Sequence, residues 1–214
     1  MRPVSYKASD GLPIHGSLPL PVGVAPKNLP TILFVHGGPW ARDTWGYSGY
    51  VQWLANRGYA VLQVNFRGST GYGKRFVSLD NGPALRENSV RDIGAFLDRL
   101  QTDPALDRTR FAVTGGSYGG YMCYATAIRY GDRLRAANCV VAISNWVTFL
   151  ENTQSYRRDL RRVEYGDERD PAQRAQLTAI SPLTHVADLR IPLMVVTGHN
   201  DPRVPESEAN QMVA

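Results

Sequence analysis

The sequence predicts an α/β fold, in which a mostly parallel sheet is covered by helices on both faces. Short apolar runs of strand length alternate with helix-like segments along most of the chain, and strands that alternate with helices pair in parallel. Three of these runs end directly in glycine-containing loops, where the sites of such sheets form. Nothing in the 214 residues resembles a linker or a repeat, so we expect one domain over residues 1–214.

The opening segment predicts an antiparallel hairpin, because two strands, 4–8 and 14–19, flank the turn-forming pair Asp10-Gly11. Further strands are predicted at 31–35, 60–65, 110–114, 137–144 and 193–197, and helices at 50–57, 91–101 and 121–130.

The stretch 145–182 is irregular by these criteria, and we expect it to form a lid or a pocket wall. Trp146, Phe149 and Tyr156 are its candidate substrate-pocket residues. Aromatic side chains in such a stretch often serve packing alone, and that alternative stays open.

The segment 110–122, RFAVTGGSYGGYM, predicts a buried strand that passes through a glycine-flanked serine into a helix. Its centre matches the GxSxG nucleophile elbow, with Ser117 as the nucleophile. Such a serine sits in a strained turn, where the chain approaches so closely that side chains at Gly115 and Gly119 would collide. The first backbone N–H groups of the following helix can stabilise a developing oxyanion. The segment therefore predicts an α/β-hydrolase fold with Ser117 at its active site.

A second buried strand, 191–197, ends in a loop that contains Asp201. This loop lies at the carboxyl end of a strand, and an acid that follows the serine fits the hydrolase order of serine, acid and histidine. Asp201 is therefore the candidate triad acid. The sequence Asn-Asp-Pro is also a good turn by itself, in which the carboxylate binds nearby backbone amides.

A third strand, 31–35, leads into an HGG-type oxyanion loop. In that arrangement one backbone N–H of the loop and one of the residue after the nucleophile bind the tetrahedral oxyanion, which makes Gly38 and Tyr118 the candidate donors. We expect His36, which ends the strand, to hold a structural hydrogen bond rather than to transfer protons.

These motifs belong to a wider resemblance: the chain is similar to the prolyl oligopeptidase family of serine peptidases, and within it to acylaminoacyl peptidase-like and dipeptidyl peptidase-like bacterial members. The similar blocks are YKASDGLPIHGSL, HGGPWARDTWGY, LANRGYAVLQVNFRGSTGYGKRF, GGSYGGYM, EYGDERDP, SPLTHVADLRIPLMVVTGHNDPRVP and SEANQMV. They cover nearly the whole chain in the family's order. A generic carboxylesterase would share only the elbow and the oxyanion loop.

The resemblance implies a serine peptidase that cleaves peptide, and also ester, bonds of peptide or acyl-peptide substrates through an acyl-enzyme on Ser117. It implies Asp201 as the triad acid, Gly38 and Tyr118 as backbone donors, and no metal or organic cofactor.

Two departures from the family pattern concern the ends of the chain. Family members usually carry a β-propeller before the hydrolase domain, whereas here Met1 leads almost directly into the hydrolase region. The family histidine follows the acid by a few dozen residues, but all four histidines here precede Asp201; they are His15, His36, His185 and His199. We therefore expect a catalytic domain shortened at both ends, without its last strand and histidine loop, and expect these 214 residues to be nearly inactive.

Two other function classes stay open, a catalytically inactive hydrolase fold that serves as a binding module and a generic carboxylesterase. A nucleotide-binding protein is a third class. The segment 68–74, GSTGYGK, matches the GxxxxGK pattern of a phosphate-binding loop, but Arg75 stands where Ser or Thr would bind magnesium. That mismatch argues against a nucleotide site.

Composition limits the partners. The net charge of +5 favours anionic partners only mildly. The basic cluster 157–162 is followed at once by acidic residues, a mixture typical of a solvated helix and loop, so nucleic-acid binding is not expected. The N-terminus has no signal-peptide core, and no apolar stretch approaches membrane-spanning length. We expect a cytoplasmic protein without membrane contact.

Two further expectations concern single elements. Cys123 and Cys139 lie on predicted buried elements without metal-ligand spacing, and we expect free thiols. The strand 193–197 should form an exposed apolar sheet edge, through which copies of the chain could associate into a homo-oligomer.

Overall fold

Seven strands form one sheet in the computed structural model, which describes residues 1–214. The strands are β1 (Arg2–Lys7), β2 (Pro13–Leu18), β3 (Leu29–Val35), β4 (Ala60–Asn65), β5 (Leu106–Gly116), β6 (Ala136–Val140) and β7 (Leu193–Val196). Their order across the sheet is β1-β2-β4-β3-β5-β6-β7. The hairpin β1–β2 joins β4 in antiparallel fashion, and the pairs from β4 to β7 are parallel. The predicted mostly parallel sheet and its opening hairpin are confirmed.

Eight α-helices connect or flank these strands. They are α1 (Gly49–Ala55), α2 (Lys74–Val77), α3 (Glu87–Leu100), α4 (Tyr118–Arg129), α5 (Trp146–Asn152), α6 (Ser155–Tyr165), α7 (Pro171–Ala179) and α8 (Glu206–Val213). Two 3₁₀ turns, Gly131–Arg133 and Pro182–Asp188, complete the chain. No helix combines the length and the apolar character that a bilayer crossing requires.

Helices lie on both faces of the sheet because its strands are apolar on both sides. In β3, Leu33 and Val35 join the large core cluster that also holds the apolar residues of α3 and α4. The alternate residues Ile32 and Phe34 pack on the other face, against a small cluster that includes residues of α1. This alternation is the period-two pattern of a strand covered on both faces.

The stretch 145–182, expected to be irregular, is instead mostly helical. It contains α5, α6 and α7, and the first and last of these begin at side chains that cap a helix. The Asn145 side chain accepts hydrogen bonds from the amides of Val147 and Thr148, and Asp170 accepts one from Gln173. Strand β6 also ends earlier than predicted, because the positive φ of Val141, 40°, turns the chain out of the sheet.

The expectation of two free thiols is wrong, because Cys123 of α4 and Cys139 of β6 form a disulfide. Their Cα atoms lie 5.6 Å apart, inside the usual range for this bond. Helix α4 approaches β6 closely because Gly120 has no side chain: a Cβ there would lie 2.9 Å from the Val140 carbonyl oxygen. The sequence predicted both elements correctly but not that these two faces meet.

A buried arginine connects the opening hairpin to the body of the domain. Arg67 follows β4, and its guanidinium forms ion pairs with Asp92 of α3 at 2.7 Å and with Asp10 of the β1–β2 turn at 2.9 Å. Asp92 also accepts a hydrogen bond from the Arg67 amide at 3.0 Å. This cluster fixes the hairpin against the sheet.

Candidate active site

Ser117 occupies a sharp turn between β5 and α4. Its φ of 59° and ψ of −120° are rare for a residue with a side chain, and its amide donates a hydrogen bond to the Val140 carbonyl at 3.0 Å. The side chain is half-buried. A non-glycine residue in this region marks strain that the surrounding structure maintains. This geometry is the one that the elbow motif predicts.

The glycines around Ser117 are required by close backbone approach. A Cβ on Gly115 would lie 2.3 Å from the Gly119 carbonyl oxygen, and a Cβ on Gly119 would lie 2.2 Å from that of Val35. Both distances are far below van der Waals contact, so helix α4 can begin against the end of β3 only without side chains at these positions.

The oxyanion loop lies directly beside the elbow, because β3 and β5 are neighbours with Val35 paired to Gly115. A Cβ on Gly37 would lie 3.6 Å from the Ser117 Cβ. Gly38 has a φ of 121°, and its amide donates no hydrogen bond within the chain. The Tyr118 amide is the first of α4, where a helix provides no internal acceptor. The structure therefore brings the two predicted donors to adjacent strand ends.

His36 is buried beneath this loop and is fully engaged there. Its Nδ1 lies 2.7 Å from the Gly37 carbonyl oxygen, its Nε2 lies 2.9 Å from Ser69 Oγ, and its ring stacks on Phe66 with centroids 4.3 Å apart. Burial lowers the pKa of the imidazole to about 4. Both ring nitrogens have partners other than Ser117, in keeping with the structural hydrogen bond expected for this residue.

Asp201 lies on the loop after β7, at the same edge of the sheet. Gly116, Val140 and Val196 form one row across β5, β6 and β7, so the chain leaves β7 two strand spacings, about 10 Å, from the point where it leaves β5. The carboxylate oxygen Oδ1 accepts the amides of Arg203 at 2.8 Å and Val204 at 3.1 Å. Oδ2 accepts no hydrogen bond within the chain and is available to a further donor.

The four histidines of the chain hydrogen-bond to neither Ser117 nor Asp201. Apart from His36, their partners are Ser5 for His15, the Ala179 carbonyl for His185, and Glu206 for His199. The nearest in sequence to the acid, His199, donates toward the Glu206 carboxylate at 2.6 Å on the surface. Residues 1–214 thus place the candidate nucleophile, the two candidate amide donors and the candidate acid along one edge, and no histidine hydrogen-bonds to the serine or to the acid.

The three predicted pocket residues are not brought together. Trp146 and Phe149 of α5 are buried in an aromatic cluster with Tyr121 and Tyr165, whereas Tyr156 of α6 is 73% exposed. The burial of Trp146 and Phe149 agrees with the alternative that these aromatic side chains serve packing alone, because neither side chain is open to solvent.

Sequence reasoning missed two residues that support the site. Glu208 of α8 is buried, and its carboxylate accepts the amides of Ser144 at 3.0 Å and Asn145 at 2.9 Å. Through these hydrogen bonds Glu208 joins α8, which follows the loop of Asp201, to the start of α5. The Tyr165 hydroxyl donates to the Gly38 carbonyl at 3.0 Å and so holds the oxyanion loop. Neither contact follows from a local pattern, since each joins segments more than 60 residues apart.

The sequence of this chain is similar to a known family model and to several characterised proteins. The family model described as "Prolyl oligopeptidase family" matches residues 45–214. Dipeptidyl aminopeptidase BIII of Pseudoxanthomonas mexicana is 41% identical over 197 residues, which cover 89% of this chain and 28% of that protein. The acylamino-acid-releasing enzyme of Homo sapiens is 27% identical over 184 residues, covering 83% of this chain and 25% of that protein.

Among solved structures, Pyrococcus horikoshii acylaminoacyl peptidase superposes with a TM-score of 0.88 and 27% identity, over 99% of this chain and 34% of that one. The chain spans about a quarter to a third of the length of these proteins.

Proposed function

This chain belongs to the prolyl oligopeptidase family, and from that membership we propose that it carries the nucleophile, the oxyanion donors and the triad acid of a serine peptidase. The observation that carries the proposal is the backbone of Ser117, with a φ of 59° between two glycines that nothing larger can replace. Residues strained in this way cluster at active sites.

In the proposed mechanism the Ser117 oxygen attacks the carbonyl carbon of the scissile bond while a general base takes its proton. The C–N bond then breaks, the amine leaves with that proton, and an acyl-enzyme remains on Ser117. The amides of Gly38 and Tyr118 stabilise the oxyanion of the tetrahedral intermediate, because neither donates a hydrogen bond within the chain and both lie beside Ser117. Water then hydrolyses the ester, and Ser117 is regenerated.

Asp201 is assigned the role of the triad acid, with Oδ1 fixed by the turn amides and Oδ2 left to orient an imidazole. The two interpretations of this loop are compatible, since the turn uses one carboxylate oxygen and catalysis the other. None of the four histidines in residues 1–214 occupies the position between Asp201 and Ser117.

We assign peptides as substrates, with ester hydrolysis as a side activity. The named relatives include an aminopeptidase and an acylamino-acid-releasing enzyme, so the test uses a dipeptidyl p-nitroanilide with a free amino group and an N-acetylated aminoacyl p-nitroanilide. The natural protein should hydrolyse one of them, and Ser117→Ala should lower kcat on the order of a millionfold. A Ser117→Ala variant with unchanged turnover would refute the assignment.

A second candidate, a non-catalytic binding module, is favoured by one observation: no histidine of the chain hydrogen-bonds to Ser117 or Asp201. It requires peptide binding without turnover. Calorimetry on the Ser117→Ala variant with an uncleaved peptide, beside turnover by the natural protein, separates the two functions. Binding together with a complete lack of turnover would favour the module.

The cytoplasmic location expected from the sequence stays a prediction. The Cys123–Cys139 disulfide favours an oxidising compartment instead, because thiols in the cytosol are mostly kept reduced. Fractionation of the source cells under thiol-blocking conditions decides between the two.

A further inference from the structure

Behind the oxyanion donors lies a buried arginine that the mechanism above does not use. Arg86, at the start of α3, is 1% exposed. Its guanidinium donates to Asp80 Oδ2 at 3.1 Å and to the Glu164 carbonyl oxygen at 2.6 Å. Asp80 is also buried, so water cannot reach the ion pair. Removal of either partner would leave the other charge buried without compensation.

The same guanidinium lies near two aromatic rings. Its central carbon is 5.3 Å from the ring centroid of Tyr118 and 5.0 Å from that of Tyr165, within the range of cation–π attraction. The two rings are parallel, with an interplanar angle of 1° and centroids 6.0 Å apart. Arg86 also donates to the Tyr118 hydroxyl at 3.4 Å.

Each of these tyrosines is tied to one half of the oxyanion hole. Tyr118 supplies one of the two amides from its own backbone, and the Tyr165 hydroxyl donates to the carbonyl of Gly38, whose amide is the other. The two backbone segments come from different strands and have 79 intervening residues between Gly38 and Tyr118. A group that contacts both tyrosines therefore sets the distance between the two donors.

We propose that Arg86 is a positioning residue of the oxyanion hole, which holds the rings of Tyr118 and Tyr165 so that the amides of Tyr118 and Gly38 converge on one point. The inference rests on the proposed function, since it assigns a role to the same site. Arg86 touches neither substrate nor reacting atoms; it acts through the two tyrosines.

Neither a neutral side chain nor a lysine can replace Arg86 completely. The planar guanidinium reaches Asp80, the Glu164 carbonyl and two rings at once, which a single ammonium group does not. Displacement of a reacting group by about 1 Å costs on the order of a hundredfold in rate, so small movements of the tyrosines should appear in kcat.

The test compares Arg86→Met and Arg86→Lys with the natural protein, and uses Arg67→Met as a matched control. Arg67 is also a buried arginine with carboxylate partners, but it joins the opening hairpin to α3. We expect Arg86→Met to lower kcat roughly 10- to 100-fold with KM changed less than about threefold, the pattern of a lost transition-state interaction. Arg86→Lys should recover part of kcat, and Arg67→Met should keep it at a temperature where all variants are folded.

A peptidyl boronate provides a second readout, because its tetrahedral adduct with Ser117 needs both amides. Its affinity should fall in Arg86→Met in parallel with kcat, while the affinity of an uncleaved peptide, measured in the Ser117→Ala background, should not change. If Arg86→Met does not fold, Tyr165→Phe replaces it: this variant loses only the hydroxyl bound to Gly38 and should also lower kcat.

The possible results are distinct. Equal kcat in Arg86→Met and Arg67→Met, or full activity and boronate affinity in Tyr165→Phe, overturns the role of Arg86 and leaves the peptidase assignment intact. A natural protein without Ser117-dependent turnover refutes the proposed function and the positioning role together.

Discussion

Single residues at the elbow show how far sequence reasoning reaches. Ser117, Gly115 and Gly119 were predicted from one motif because their requirement is steric and local, and the structure places the serine at a positive φ between glycines with no room for a Cβ. The part played by Arg86 was not predictable in this way. Arg86 contacts Asp80, Glu164 and Tyr118 only in the folded protein, and no spacing in the sequence indicates these contacts.

Gly119→Ala tests the steric requirement directly. A Cβ at this position would lie 2.2 Å from the Val35 carbonyl oxygen, and backbone cannot move aside cheaply. We expect the free energy of unfolding in urea to fall by about 3 kcal/mol. Gly46→Ala is the matched control, since nothing lies within 4 Å of its added Cβ, and it should change stability by less than about 0.5 kcal/mol. Similar stabilities of the two variants would contradict the close approach.

The lowered pKa of buried His36 should make the free energy of unfolding depend on pH. Burial lowers its folded-state pKa to about 4 from the ordinary value of 6.5, so the unfolded chain binds more protons between these values. Stability from neutral His36 is therefore complete above about pH 6.5 and is lost as the pH falls through 4. Relative to His36→Gln, the natural protein should lose about 3 kcal/mol between pH 7 and 4. Parallel urea-unfolding profiles for the two proteins would show that His36 does not titrate as described.

Among the elements, strands were predicted more reliably than helices. The strand β4 is buried at every position, so its apolar run was unambiguous. In 145–182 the helices α5 and α7 were missed, whereas the charged cluster of α6 was interpreted as a solvated helix and loop. Helix α6 buries little besides Glu164 and Tyr165. The contacts that hold this helix in place are made near its C-terminal end, and only the tertiary structure provides them.

The disulfide between α4 and β6 can be tested by counting free thiols and by measuring stability with and without reductant. The purified protein should show no titratable thiol in denaturant without reductant and two after reduction. The bond closes a loop with a sequence separation of 16, and reduction should lower the free energy of unfolding by about 3 kcal/mol. The Cys123→Ala/Cys139→Ala double variant is the control, since its stability should not respond to reductant. Two free thiols in the native oxidised preparation would disprove the bond.

At the scale of the whole molecule, the sheet ends in β7, which pairs only with β6. Met194 is 62% exposed there and Val196 is 36% exposed. Unpaired apolar edges recruit other strands, so we expect the 214-residue chain to associate with itself as its concentration rises. Light scattering should detect this, and Met194→Lys should reduce it.

The control for this prediction is Val22→Lys, which removes an apolar side chain that is 95% exposed in a loop far from the edge in sequence. It should leave association unchanged. A monomeric natural chain at high concentration, with its β7 amides protected from exchange, would show that the edge does not recruit a second copy.

The connection between β6 and β7 occupies residues 141–192 and lies outside the sheet. The strands at its two ends, β6 and β7, are held in register by pairs such as Val140 with Val196. Within the connection, α7 buries only Leu177. Insertions or losses in α7 can therefore accumulate without shifting Ser117 or Asp201. Relatives can therefore differ in the outer surface that α7 forms, whereas α6 of the same connection must be kept, because its Tyr165 holds the loop of Gly38.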